Sequence, residues 1–116
     1  MVDKEFVELV KSACACDGLP SALAYFQDCD DENVAQTAQE LKGQFAVAEI
    51  DGEQRIYHVM TETDDDGNEQ EYADHVMNEG DDTIRFVAWF FDVFFAIKQK
   101  DVYQAAGKTY RQPKRS

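Results

Sequence analysis

Phe45-Ala46-Val47-Ala48-Glu49-Ile50 and Glu53-Gln54-Arg55-Ile56-Tyr57-His58-Val59-Met60 flank the dipeptide Asp51-Gly52. Asp-Gly between two apolar-rich runs is a strong hairpin signal, because both central residues of a type I′ turn need positive φ. The reading is a β-hairpin with arms at about 44–50 and 53–62. Pairing across the turn puts Phe45, Val47, Ile56, His58 and Met60 on one face, and Ala46, Ala48, Ile50, Arg55, Tyr57 and Val59 on the other. Neither face is strongly polar, so either both are covered by the chain or one is covered by a partner. His58, on the more apolar face, reads as a core histidine before it reads as a base.

Upstream of the hairpin the period changes from two to that of a helix. Phe6, Leu9, Val10, Ala13 and Cys14 recur at helical spacing after Asp3, a suitable N-cap, and Asp17-Gly18 closes the segment. Pro20 suits the first turn of a second helix. Asp30-Asp31 precedes a third, through Val34, Ala35, Ala38 and Leu41, with Gly43 placed as a left-handed cap. The expected helices are 3–16, 20–28 and 32–42.

Downstream, Asp64-Asp65-Asp66-Gly67-Asn68 is a turn. Residues 69–78 read as a short acidic helix, since Asn68 and Glu71 resemble a capping box and Tyr72 and Val76 share a helical face; a third strand is the alternative. Asp81-Asp82 then precede Ile84, Val87, Ala88, Phe91, Phe94, Phe95, Val102 and Ala106 at helical spacing. This predicts one long apolar helix over 83–106, about 36 Å in length. The rival is a strand over 84–91, because those residues are strong strand formers. The expectation is one α+β domain over 1–107, followed by a basic, mobile tail over 108–116 that contains Lys108, Arg111, Lys114 and Arg115.

Charge divides the chain. It has 116 residues and a formal charge of −13. Residues 1–82 hold 22 acidic and 4 basic side chains, whereas residues 83–116 hold 2 acidic and 7 basic. Densest is the stretch with Glu62, Asp64, Asp65, Asp66, Glu69, Glu71, Asp74, Glu79, Asp81 and Asp82, which contains no Lys or Arg. Such crowding opposes compaction. It serves as a solvated, solubilising face, or it persists because a basic partner relieves it. The charge also excludes nucleic-acid binding through a broad basic face, leaving only the tail as a direct contact.

Chemical motifs are sparse. Aligning Gly67 with the sixth position of a calcium loop puts Ala73 at the twelfth, where a carboxylate is required, so the match fails. Cys14, Cys16 and Cys29 lack the paired spacing of a zinc site, and their odd count predicts reduced thiols. None of the three serines lies in a nucleophile-elbow turn, and the six glycines form no phosphate loop. No catalytic residue, metal or cofactor is predicted. With no secretory signal and no run of about 20 apolar residues, the expected location is the cytoplasm, away from membranes.

In size and charge the chain resembles the small acidic inhibitors that phages and other mobile elements carry against restriction enzymes, CRISPR effectors and repair enzymes. The resemblance is one of class and composition. It implies a non-enzymatic protein whose carboxylates imitate phosphates and occupy a basic nucleic-acid-binding groove on a partner. Carboxylates on adjacent helical turns, about 5–6 Å apart, suit that role. The ten acidic residues from Glu62 to Asp82 are the expected contact surface. Two alternatives stand beside this reading. One is an assembly protein that homodimerises through Trp89, Phe90, Phe91, Phe94 and Phe95. The other is a housekeeping protein whose acidity is an adaptation to salt.

Overall fold

The computed structural model describes residues 4–41 and 43–110. Three helices come first: α1 (Lys4–Cys14), α2 (Gly18–Gln27) and α3 (Glu32–Glu40). The N-cap expected at Asp3 lies outside the described residues. Asp31 caps α3, its side chain accepting from the backbone N–H of Asn33 at 3.0 Å and of Val34 at 3.2 Å. The capping residue of α2, Asp17, makes no such side-chain bond. Thr83, 65 residues beyond Gly18, caps the helix instead: its hydroxyl accepts from the Gly18 N–H at 3.0 Å and donates to the Cys16 carbonyl at 2.9 Å.

Strands β1 (Phe45–Ile50) and β2 (Glu53–Thr63) form the expected hairpin, Ile50 facing Glu53 across the turn. Asp51 and Gly52 have φ of 54° and 82°, as a type I′ turn requires. Residues 69–78 form a third strand, β3 (Glu69–Asn78), and not the acidic helix. The sheet is antiparallel in the order β1-β2-β3. A helix here would have set many like charges on adjacent turns, with only Tyr72 and Val76 to anchor it. Pairing with the long arm of β2 satisfies its backbone groups instead. A bulge opposite the Ile56–Tyr57 step leaves Val76 as the extra residue, so Val76 and Met77 are both buried although adjacent in sequence.

The long helix is also two elements. Helix α4 (Ile84–Phe95) ends at Ala96, which takes the left-handed conformation with φ of 55°. The N–H groups of Ala96 and Ile97 both turn to the Phe91 carbonyl. Helix α5 (Gln99–Ala105) then folds back onto α4 and α1. A straight helix would have carried Val102, Tyr103 and Ala105 past the body of the protein. The turn buries all three. The strand expected as a rival over 84–91 is helical.

The core lies between the helices and one face of the sheet, with α4 at its centre. Phe26 of α2 stacks on Phe90 at 4.6 Å between ring centroids, and Phe6 of α1 meets Phe91 edge-on at 5.0 Å. Phe45 and His58 bring the sheet to Trp89. At the start of the expected tail Lys108 pairs with Asp82, and the Tyr110 ring packs edge-on against Tyr103 at 5.1 Å. Residues 111–116 of that tail lie outside the described residues.

Candidate functional site: an acidic hairpin

The β2–β3 hairpin carries the acidic stretch. Glu62 lies near the end of β2, Asp64, Asp65 and Asp66 form the turn, and Glu69, Glu71 and Asp74 lie on β3. Glu79, Asp81 and Asp82 follow in the link to α4. All ten are exposed except Asp81, which is half-buried.

Their spacing follows a strand and not the helical turns expected. The register puts Glu69 and Glu71 on the outer face of the sheet, opposite Thr63 and Thr61. Glu62 and Asp74 share the other face with Met60 and His58. Alternate residues on one face stand about 7 Å apart along a strand. The hairpin is therefore a ribbon with carboxylates on both faces and at its tip.

The tip is held by hydrogen bonds. Asp64 Oδ1 accepts from Asp66 N–H at 3.0 Å and from Asn68 N–H at 2.8 Å. The Asp64 N–H donates to the Asn68 carbonyl at 2.9 Å, and Gly67, with φ of 83°, donates to the Asp64 carbonyl at 3.0 Å. Asp64 thus shapes the turn, and Asp65 and Asp66 project from a fixed backbone.

Two of the ten carboxylates are engaged elsewhere. Asp81 Oδ2 accepts from Asn78 N–H at 2.9 Å. Asp82 pairs with Lys108 at 2.7 Å. The hydrogen bond from Lys108 holds the Asp82 carboxyl below its usual range, and the same bond raises the Lys108 ammonium. The pair is exposed, which limits it to about 1 kcal/mol. Among the described residues the one other ion pair joins Arg55 to Glu53 at 3.8 Å, so no described cation pairs with a carboxylate of the ribbon.

Sequence reasoning gave Tyr72 a place on a helical face and none on the contact surface. It stands amid the carboxylates on β3, 44% exposed, and its hydroxyl donates to Gln70 Oε1 at 2.8 Å. A lone aromatic within an acidic run was the available signal. The outer face of the sheet is one of the two that the sequence expects to be covered by the chain or by a partner. Among the described residues the helices pack on its inner face, and Ala46, Ala48, Ile50 and Ala73 are exposed on the outer one.

The five aromatic residues expected at a dimer interface lie in and against the core. Trp89, Phe90 and Phe91 are buried in the chain's own core, and Phe94 and Phe95 are half-buried against it.

His58 is buried, with Nε2 2.8 Å from Gln44 Oε1 and Nδ1 without a hydrogen-bond partner. Burial lowers its pKa, with Asp74 opposing weakly. It is a neutral core group among Phe45, Trp89 and Phe94. The three cysteines are free thiols. Burial pushes Cys14 up to about 11 and raises Cys29, which leaves both poor nucleophiles near neutral pH. Among the described residues no cluster of His, Cys, Asp and Glu is arranged to hold a metal ion, and no helix is long and apolar enough to cross a membrane. Comparison with protein-family models, curated proteins and solved structures found no match to this chain.

Proposed function

We propose that the β2–β3 hairpin is a nucleic-acid mimic, which a partner protein takes into its basic nucleic-acid-binding groove, and that the chain acts by occupancy and without catalysis. The observation that carries this reading is the unneutralised ribbon: exposed carboxylates on both faces of a hydrogen-bonded hairpin, facing no Lys or Arg of their own chain among the described residues. Repulsion within such a ribbon is a standing cost to the fold, and a cationic groove relieves it. Rigidity matters as well. A floppy acidic run loses conformational entropy on binding, whereas a hairpin fixed by its ladder and tip has already lost it. Tyr72 adds a ring beside the charges, suited to a groove that stacks bases.

The homodimer reading has less support, because three of its five aromatic residues lie in the core. The acidic decoy is the type of inhibitor that mobile elements use against host defence, and a cytoplasmic setting suits it.

The test compares the wild type with a variant carrying Glu62→Gln, Asp65→Asn, Glu69→Gln and Glu71→Gln. These positions are exposed, and Asp64 and Asp82 are left in place because one shapes the turn and the other is paired. Each protein is immobilised and exposed to lysate of the source organism at low and high salt. The expected result is capture of nucleic-acid-binding proteins by the wild type, released by salt or by duplex DNA, and lost with the variant. Capture that persists with the variant, or that duplex DNA does not displace, overturns the proposal.

A further inference from the structure

A second surface, lined by no residue of the sheet, lies where α1, the α2–α3 loop and the α4–α5 joint converge. It is a cleft of about 1060 Å³. Its floor includes Phe6, Leu9, Tyr25, Phe95 and Ile97, all half-buried, so apolar surface from three helices and one joint stays within reach of solvent. Its rim carries Glu5, Glu8, Asp28, Asp30, Asp31 and Asp101, against Lys98 as the one cation among the described residues. An apolar floor inside an anionic rim is the complement of an amphipathic cationic helix, which lays its apolar stripe on the floor and its Lys or Arg against the rim.

We infer that this cleft docks a Lys/Arg-rich amphipathic helix of a partner protein. Two other occupants fit less well. A second copy brings a charge of −13 to an anionic rim. The chain's own end, Arg111-Gln112-Pro113-Lys114-Arg115-Ser116, is cationic but has no large aliphatic or aromatic side chain for the floor, and its proline disfavours a helix. The break at Ala96 creates the site, because it turns Ile97 and Asp101 toward α1 and the α2–α3 loop. This inference does not depend on the hairpin.

The experiment uses the full chain and a labelled peptide of about 18 residues, built of leucine and lysine at helical spacing, followed by fluorescence anisotropy. The controls are a scrambled peptide of the same composition and an oligolysine of the same charge. A rim variant carries Glu5→Gln, Glu8→Gln, Asp30→Asn and Asp101→Asn; Asp31 is kept because it caps α3. A floor variant, Ile97→Asn, is checked for its fold by circular dichroism. The expected result is binding of the amphipathic peptide at physiological salt, weakened about tenfold or more by the rim variant and by the floor variant. Both control peptides are expected to bind about tenfold more weakly, and the hairpin variant is expected to bind as the wild type does. Equal binding by the rim variant or by oligolysine overturns the inference. So does loss of binding in the hairpin variant, which would leave the hairpin proposal standing. Tighter binding after removal of residues 111–116 would make the chain's own end the occupant and overturn it too.

Discussion

Replacing Thr83 with valine should cost the protein a large share of its stability, although valine has almost the same shape. The Thr83 hydroxyl joins two parts of the chain that are far apart in sequence, accepting from Gly18 N–H at 3.0 Å and donating to the Cys16 carbonyl at 2.9 Å. The Thr83 side chain is 6% exposed, and Gly18 and Cys16 are half-buried. Valine fills the same space and leaves one donor and one acceptor unpaired. An unsatisfied buried polar group costs about 1–3 kcal/mol. Partial access to water puts each group here toward the lower end, so the pair amounts to about 2–3 kcal/mol. A domain of this size has about 5–15 kcal/mol in all. The shift in melting temperature is then roughly 10 °C. Urea unfolding of wild type, Thr83→Val and Thr83→Ser measures it. Valine should lower the midpoint with an unchanged slope. Serine keeps the hydroxyl and should cost about 1 kcal/mol or less. A valine variant within about 0.5 kcal/mol of wild type, or a serine variant as damaged as valine, would refute the claim that this hydroxyl caps α2 from a distance.

Ala96→Gly should stabilise the protein by about 0.5–1 kcal/mol in the same assay, because alanine at φ of 55° carries a steric cost that glycine escapes. Asp31→Ala should cost about 1 kcal/mol and fray the start of α3, seen as faster amide exchange at Asn33 and Val34. The pH dependence around His58 follows from its lowered pKa. Below the ordinary histidine value of 6.5 the unfolded chain takes up a proton that the buried ring resists, so stability falls as the pH drops from about 7 toward 5. Above that window His58 contributes no slope. His58→Phe should flatten the profile there, and a profile identical to wild type would show that His58 does not govern it.

The hairpin was legible from residues 45–60 because its determinants are local. Asp51-Gly52 supplies two positive φ angles, and alternation assigns Phe45, Ile56 and His58 to the inner face without reference to the rest of the chain. Helices α1, α2 and α3 were legible for the same reason, in their apolar period and in the Asp31 cap. Two elements were not. Residues 69–78 carry a helix-like capping box, yet they pair with β2 because its long arm offers an open edge, and the Val76 bulge hides the strand period by burying two neighbours. The break at Ala96 has neither glycine nor proline to announce it. It forms because folding α5 back on α1 and α4 buries Val102, Tyr103 and Ala105, a gain that exceeds the local cost of one left-handed alanine.

Charge and its clustering belong to the amino-acid sequence by itself, since counting residues needs no coordinates. Which carboxylates stand free and which are engaged is a tertiary matter. Lys108 reaches Asp82 only because α5 returns, and Glu69 and Glu71 share a face only because the segment is a strand. The burial of Trp89, Phe90 and Phe91 is likewise decided in three dimensions: an apolar helix needs cover, and here α1, α2, α5 and the sheet provide it. Side-chain chemistry acts at a few ångströms, and only the fold sets which residues come that close.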